Sequence, residues 1–375
     1  MRPRLLLPVA GVICAGVALA ALTLSAPIPA SLATTAARSA ASEAGAFAPG
    51  PAWNGPDADV DARLGALARS AAELPRLRSL LVSWQGELVL EHYFRGARAD
   101  RPANIKSASK SVLSALVGVA LAEGHLKDVS EPVAPHFQAE LGPRADARTR
   151  GITVEHLLTM QTGLASTSGR NYGAWVQSPN WVRYVLRRPF IADPGTRMEY
   201  STGNSHLLSA LLTRVTHQST WQFAQQGLAR PLGFRLPRWS QDPQGVYFGG
   251  NDMLMTPRQM VAFGELYLNG GLVGERQLFP NDWVGRTFVP RGRSRWGSDR
   301  EYGYGWWIRS LADRPTYYAW GYGGQFVFVV PASRMVIVTT SDPNVSRERR
   351  EHLEGIYALA ADIVAAVDPA AQRPR

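Results

Sequence analysis

After Cys14, which sits inside an apolar N-terminal run, the chain contains no cysteine. The remainder therefore offers no disulfide, no thiol nucleophile and no thiolate metal ligand. Lysine is nearly as scarce: only Lys106, Lys110 and Lys127 occur, and arginine supplies every other basic residue. The histidines (His92, His125, His136, His156, His206, His217 and His352) are dispersed, with no metal-ligand spacing and no Gly-x-Ser-x-Gly nearby. No metal and no cofactor is expected. The formal charge is +10, but the arginines are scattered and form no aromatic-interleaved basic stripe. That points away from nucleic acid. There is no internal repeat and no heptad run.

The first 33 residues read as an export signal. Arg2 and Arg4 precede an apolar stretch from Leu5 to Leu24, and Ser31-Leu32-Ala33 supplies a small-residue cleavage site. The stretch is also near the roughly 20 residues that span a bilayer, so a membrane tether through residues 5–24 is the alternative. Either way the chain is expected outside the cytoplasm, as a periplasmic, secreted or membrane-anchored protein. Ile13 before Cys14 does not fit a lipoprotein cleavage box. Residues 34–60, rich in Ala, Ser and Pro at the start, then read as a flexible tether. The roughly 340 residues that follow the signal can bury a large core.

What the chain does have is Ser107-Ala108-Ser109-Lys110, followed by the apolar, Gly/Ala-rich run Val112–Leu121. On a helix, residues three apart share a face. A serine hydroxyl needs a base within hydrogen-bond reach to act as a nucleophile. Lysine serves only if burial leaves it neutral, and a helix apolar on nearly all sides is normally buried. Arginine could not replace it, because it does not lose its proton in a protein. A lysine kept here, in so arginine-rich a chain, suggests a chemical requirement. The bland alternative is chance, since Ser-x-x-Lys is short and common.

Strand-like runs at Ser79–Trp84 and Leu88–Phe94 flank a tight connection at Gln85-Gly86-Glu87. The Ser107 helix follows and stops at Gly124. Helical spacing then recurs at Glu155–Met160, Trp181–Leu186, Asn204–Val215, Pro257–Leu268 and Asn281–Val289. Strands return at Gly303–Arg309, Thr316–Trp320, Phe326–Val330 and Met335–Thr340, and a final helix fits Arg347–Val364. The pattern predicts an α/β (α+β) lobe built from residues 61–127 and 291–375, with a mainly helical lobe, residues 128–290, inserted between.

Two further segments carry possible chemistry. Tyr200-Ser201-Thr202-Gly203-Asn204 puts a phenol and an amide at the mouth of a helix. A tyrosine beside a lysine can have its pKa lowered and shuttle protons; the plain alternative is a core tyrosine with a capping residue. Ala319-Trp320-Gly321-Tyr322-Gly323-Gly324-Gln325 lies on a predicted strand. Its glycines allow close approach of a substrate, and an edge N–H paired with that of Ser107 could form an oxyanion hole. A glycine-rich hairpin is the alternative. The aromatic loop around Tyr172 and Trp175 is either a lid over an acyl pocket or packing between lobes.

Taken together the three segments resemble the serine β-lactamase and penicillin-binding-protein superfamily, in particular its class C-related branch of esterases, D-aminopeptidases and 6-aminohexanoate-dimer hydrolases. The resemblance spans about Leu80 to Val364. Leu157–Leu164, Met255-Thr256-Pro257 and Phe263–Leu268 look like the family too. It implies a β-lactamase/transpeptidase-like fold, an antiparallel sheet flanked by helices. It implies Ser107 as nucleophile, Lys110 as its base partner and Tyr200 as the second-motif tyrosine. Asn204 stands in a Tyr-Ser-x-x-Asn pattern instead of Tyr-x-Asn. The third motif falls at Ala319-Trp320-Gly321 or at Tyr322-Gly323-Gly324, and neither register has a cation for a β-lactam carboxylate. In the first register the oxyanion hole is formed by the N–H groups of Ser107 and Tyr322. Asn204, Tyr172, Trp175, Trp320, Gly321 and Gly323 are then the expected substrate contacts. The implied function is cleavage of a small-molecule or peptide-like ester or amide. A D,D-carboxypeptidase, a β-lactamase, or a non-catalytic peptidoglycan- or peptide-binding module are the alternatives.

Overall fold

The computed structural model describes residues 58–143, 145–294, 300–344 and 349–368. The expected signal and nearly all of the tether lie outside these residues. The tether's last three, 58–60, instead form the first turn of helix α1 (Ala58–Ala71). Among the described residues no helix is long and apolar enough to cross a membrane.

Eight strands form one antiparallel sheet: β1 (Leu77–Trp84), β2 (Glu87–Tyr93), β3 (Gly292–Arg293), β4 (Glu301–Tyr302), β5 (Trp307–Leu311), β6 (Arg314–Gly321), β7 (Gln325–Val330) and β8 (Met335–Ser341). Their order is β2-β1-β8-β7-β6-β5-β4-β3. The N-terminal hairpin thus pairs with the last strand, Leu81 opposite Val338. Gln85 and Gly86, both at positive φ (55° and 89°), make the two-residue turn between β1 and β2.

Every residue of β7 and β8 is buried, because the sheet is covered on both faces. Successive side chains point to opposite faces of a strand. Phe326, Phe328, Val330 and Ile337 pack with α1 and with α5 (Arg349–Val367) on one face. Val327, Val329, Val336 and Val338 pack on the other face against α4 (Pro257–Leu268), in one apolar cluster that extends through α2 (Ser109–Ala122) to α3 (Thr202–Thr216). Helix α4 starts at a reciprocal cap between Thr256 and Gln259 and lies on the sheet. A Cβ at Gly264 would stand 2.5 Å from Val336 Cγ1.

One strand expectation fails. Gly303–Trp306 is a turn, with Gly305 at φ 76°, and β5 begins only at Trp307. A Cβ at Gly303 would stand 2.1 Å from the Thr287 carbonyl oxygen, and one at Gly305 would stand 2.9 Å from that of Lys110. Gly305 lets this turn press against α2, and Gly303 lets it press against Thr287.

Candidate active site

The chain reaches Ser107 through a constrained approach. Ile105 N–H donates to the Met253 carbonyl at 3.0 Å. Lys106 then adopts φ 52°, the left-handed region that costs a side-chain-bearing residue about 1–2 kcal/mol. Asn104 Oδ1 accepts the Lys106 N–H at 2.9 Å. A single 3-10 turn, Lys106–Ala108, carries Ser107 and runs directly into α2.

One turn further, Lys110 is buried. Its Nζ lies 3.1 Å from Ser107 Oγ, 2.7 Å from the Gly250 carbonyl and 3.4 Å from Thr202 Oγ1. Burial lowers its pKa from 10.5 to about 7. A substantial fraction of the neutral amine is therefore present at neutral pH.

Tyr200 closes the third side. Its ring stacks on Trp307 with centroids 5.6 Å apart, and Lys110 Nζ lies 5.0 Å from its centroid. Burial pushes the phenol up to about 12, while a side-chain hydrogen bond with Ser107 works the other way. This reverses the expectation of a lowered pKa: the lysine it faces is itself neutralised by burial, so no fixed cation favours a tyrosinate. Tyr200 is held by a polar run that sequence reasoning passed over. Ser166 Oγ donates to the Tyr200 carbonyl (2.6 Å), Ser168 Oγ accepts the Thr202 N–H (2.8 Å), and Thr167 Oγ1 accepts the Gly203 N–H (2.9 Å). The start of α3 is thus capped by a neighbouring segment.

Two other residues at the site were missed. Thr202, two places after Tyr200, faces Lys110, whereas Asn204 is buried with its amide on Thr162 and Met160. Asn204 is therefore not a cleft residue. Gly250 comes from the loop after Phe248. A Cβ there would stand 2.8 Å from Thr202 Cγ2 and 3.1 Å from Lys110 Nζ. The Gly249-Gly250 doublet was its one sequence signal.

Strand β6 arrives beside Ser107 on its Gly321 end. Ala319 packs in the same apolar cluster as Ile105 and Ala108, so no cation stands there. Trp320 points to the opposite face, where its ring stacks against Phe326 and meets the Arg300 guanidinium at 5.4 Å. Gly323 (φ 90°) faces Pro343 and Arg76. Trp175 is fully buried among Trp181, His206 and Phe248. Trp320, Gly323 and Trp175 are thus turned away from Ser107. Tyr172 is half-buried, and its hydroxyl accepts from Asn251, next to Gly250. Tyr322 is exposed beyond the end of β6, whose pairing with β5 stops at Tyr318. Among the described residues no three acidic, histidine or cysteine side chains are grouped to hold a metal.

Known proteins are similar to this chain in sequence or in fold. A 6-aminohexanoate-dimer hydrolase from Paenarthrobacter ureafaciens is 24% identical over 347 residues, covering 82% of this chain and 84% of that protein. A family VIII carboxylesterase superposes with a TM-score of 0.63 at 16% identity, covering 80% of this chain and 98% of that one. The octameric penicillin-binding protein homologue from Pyrococcus abyssi gives a TM-score of 0.63 at 16% identity, with 84% and 78% covered. The family model described as Beta-lactamase matches residues 78–361, from β1 into α5, and the chain is a hydrolase that belongs to the Beta-lactamase family.

Proposed function

We propose that the chain cleaves an ester or amide through an acyl-enzyme on Ser107. The observation that carries this reading is the environment of Lys110 Nζ. A neutral amine has two N–H bonds and one lone pair. The Gly250 carbonyl at 2.7 Å and Thr202 Oγ1 at 3.4 Å can take the two N–H bonds, which leaves the lone pair for the Ser107 hydroxyl at 3.1 Å.

In this scheme Ser107 Oγ attacks the carbonyl and its proton passes to Lys110. The developing oxyanion accepts from the backbone N–H groups of Ser107 and Tyr322. The Tyr200 phenol, protonated at neutral pH, donates to the departing alkoxide or amine and is re-protonated by the Lys110 ammonium. Water then attacks the acyl ester and gives its proton to the restored amine, directly or through the Tyr200 hydroxyl, and the resulting ammonium returns that proton to Ser107 Oγ as it leaves, which restores the free hydroxyl and the neutral amine. No charge accumulates on Tyr200 across the cycle.

The absence of a cation at Ala319 favours substrates without a carboxylate beside the scissile bond. Simple esters and amides fit better than β-lactams or D-alanyl peptides, and the relative named as a 6-aminohexanoate-dimer hydrolase makes linear amides worth testing. We further propose that the enzyme works outside the cytoplasm, delivered or tethered by its N-terminal leader. The test is active-site labelling by a fluorophosphonate, followed by a hydrolysis panel of p-nitrophenyl esters, D-amino-acid amides, 6-aminohexanoate oligomers and nitrocefin. Labelling at Ser107 with ester or amide turnover is expected, and Ser107→Ala should lose both. An unlabelled, folded protein would leave a binding module instead. Efficient nitrocefin turnover would return the β-lactamase reading.

A further inference from the structure

The segment Ser240–Met255 reaches the Ser107–Lys110 pair by two arms, one through Asn104 and one directly. One arm holds the nucleophile's turn. Asp252 Oδ1 accepts from Asn104 Nδ2 at 3.0 Å, and the same Asn104 accepts the Lys106 N–H at 2.9 Å. The other arm holds the base, through the Gly250 carbonyl at 2.7 Å from Lys110 Nζ.

That second arm rests on a buried pair for which the scheme above has no use. His206 and Asp242 have side chains at 0% exposure, with Nε2 and Oδ2 3.0 Å apart. The other ring nitrogen, Nδ1, faces the Gly249 N–H at 3.5 Å. An N–H needs an acceptor, so Nδ1 carries the lone pair and Nε2 donates its proton to Asp242. Asp242 is fixed in turn, because its Oδ1 accepts the N–H groups of Gln244 and Val246, each at 2.8 Å. The rings of Trp175, Trp181 and Phe248 enclose the imidazole, with centroids at 5.8, 5.2 and 6.0 Å. Gly249 has no slack either, since a Cβ there would stand 2.1 Å from the Ser205 carbonyl oxygen.

We propose that Asp242 and His206 are positioning residues for Lys110: the carboxylate selects the imidazole tautomer that accepts from Gly249, and this sets where the Gly250 carbonyl meets Nζ. The inference rests on the reading of Lys110 as the base. It explains why a histidine–carboxylate pair is buried one peptide away from that contact. Among titratable groups, Asp242 faces His206, and Tyr200 faces Lys110.

The decisive variant is Asp242→Asn in the full chain. Gln244 and Val246 still require oxygen at Oδ1, so the amide nitrogen falls at Oδ2. His206 must then offer its lone pair to residue 242 and its proton to Gly249, setting N–H against N–H. The Gly249-Gly250 backbone is pushed off Nζ, water reaches the amine, and its proton affinity rises toward that of free lysine.

The experiment measures kcat/KM for an aryl ester against pH. The acid limb of Asp242→Asn should move up by about one pH unit, a loss of about fivefold at pH 7 that approaches about tenfold at lower pH and is largely regained at pH 9. Asp252→Asn, on the other arm, should lower the rate without moving the limb. His206→Asn, whose amide oxygen can take the Nδ1 place, should keep the wild-type limb better than His206→Gln. This comparison decides the question if Asp242→Asn does not fold. A folded Asp242→Asn with an unmoved limb, or equal limbs for the two His206 variants, overturns the proposal. The base reading fails separately, if Lys110→Arg keeps the wild-type profile.

Discussion

The Ile105 carbonyl lies directly against Gly321, so close that a Cβ at position 321 would stand 2.0 Å from its oxygen. Strand β6, which leads into the proposed oxyanion donor Tyr322, and the turn that carries Ser107 are thus in backbone contact. Gly321→Ala must force them apart, because neither atom belongs to a flexible side chain. We expect a stability loss of about 1–3 kcal/mol, typical of overpacking. Acylation should fall by at least about tenfold, as expected when an oxyanion donor is displaced. Burst kinetics with a p-nitrophenyl ester and a melting curve on the same protein measure both; wild-type acylation would mean that the N–H donor lies elsewhere.

Lys110 should be a liability for stability. Its pKa is 10.5 in the unfolded chain and about 7 in the fold. Between those values the unfolded state holds the extra proton, so stability rises with pH there. Below pH 7 the cost is fully present, and above about pH 10.5 it is gone. Lys110→Met should therefore raise the melting temperature, most at pH 6 to 7 and least near pH 10, while abolishing turnover. Lys110→Arg should be equally inactive and gain nothing, since arginine keeps its charge in the buried site. Melting curves of the three proteins across this range check the sign.

Tyr200→Phe removes one hydroxyl and keeps the ring on Trp307. If the phenol relays protons, kcat should drop by a factor of about 100 or more, within the range of general acid–base effects. Stability should change by no more than about 0.5–1.5 kcal/mol, the worth of one hydrogen bond. A destabilised but fully active variant would remove Tyr200 from the chemistry.

Lys106 holds a left-handed backbone one residue before Ser107. Glycine adopts that conformation without penalty. Lys106→Gly should therefore leave the turn in place and shift stability upward by up to about 1 kcal/mol, offset in part by the freer unfolded chain. Lys106→Val should lose stability, because a branched side chain fits φ 52° poorly. Denaturant midpoints of the pair measure the difference.

The grouping of Ser107, Lys110 and Tyr200 is legible in the sequence because the proposed chemistry needs those residue types. The supporting shell is not, because hydroxyls and peptide groups supply it. Nothing in the string marks Ser166–Ser168 as the cap of a helix that begins at Thr202. Asn204 misleads for a geometric reason: on a helix of 3.6 residues per turn, a residue two places after Thr202 points nearly the opposite way. Trp320 misleads by the analogous rule of strands, since Ala319 and Gly321 take the face toward Ser107 and leave Trp320 the other. The central strands were easy to read because burial on both faces makes them continuously apolar. Gly303–Trp306 reads as a strand because the contact that turns it comes from the distant α2.

The pairing of β1 with β8 also dictates an order of assembly. Strand β1 is among the first parts of the fold to be synthesised, and its partner Met335–Ser341 is among the last. Until that partner exists, Leu80, Leu81 and Val82 sit on an unpaired hydrophobic edge, open to association with other chains. The sheet can close only late, through contacts of very long sequence separation, so folding should be slow. A chain cut short before β8 would not be a weakened enzyme: it would lack the strand that joins its two ends, and would aggregate instead of working.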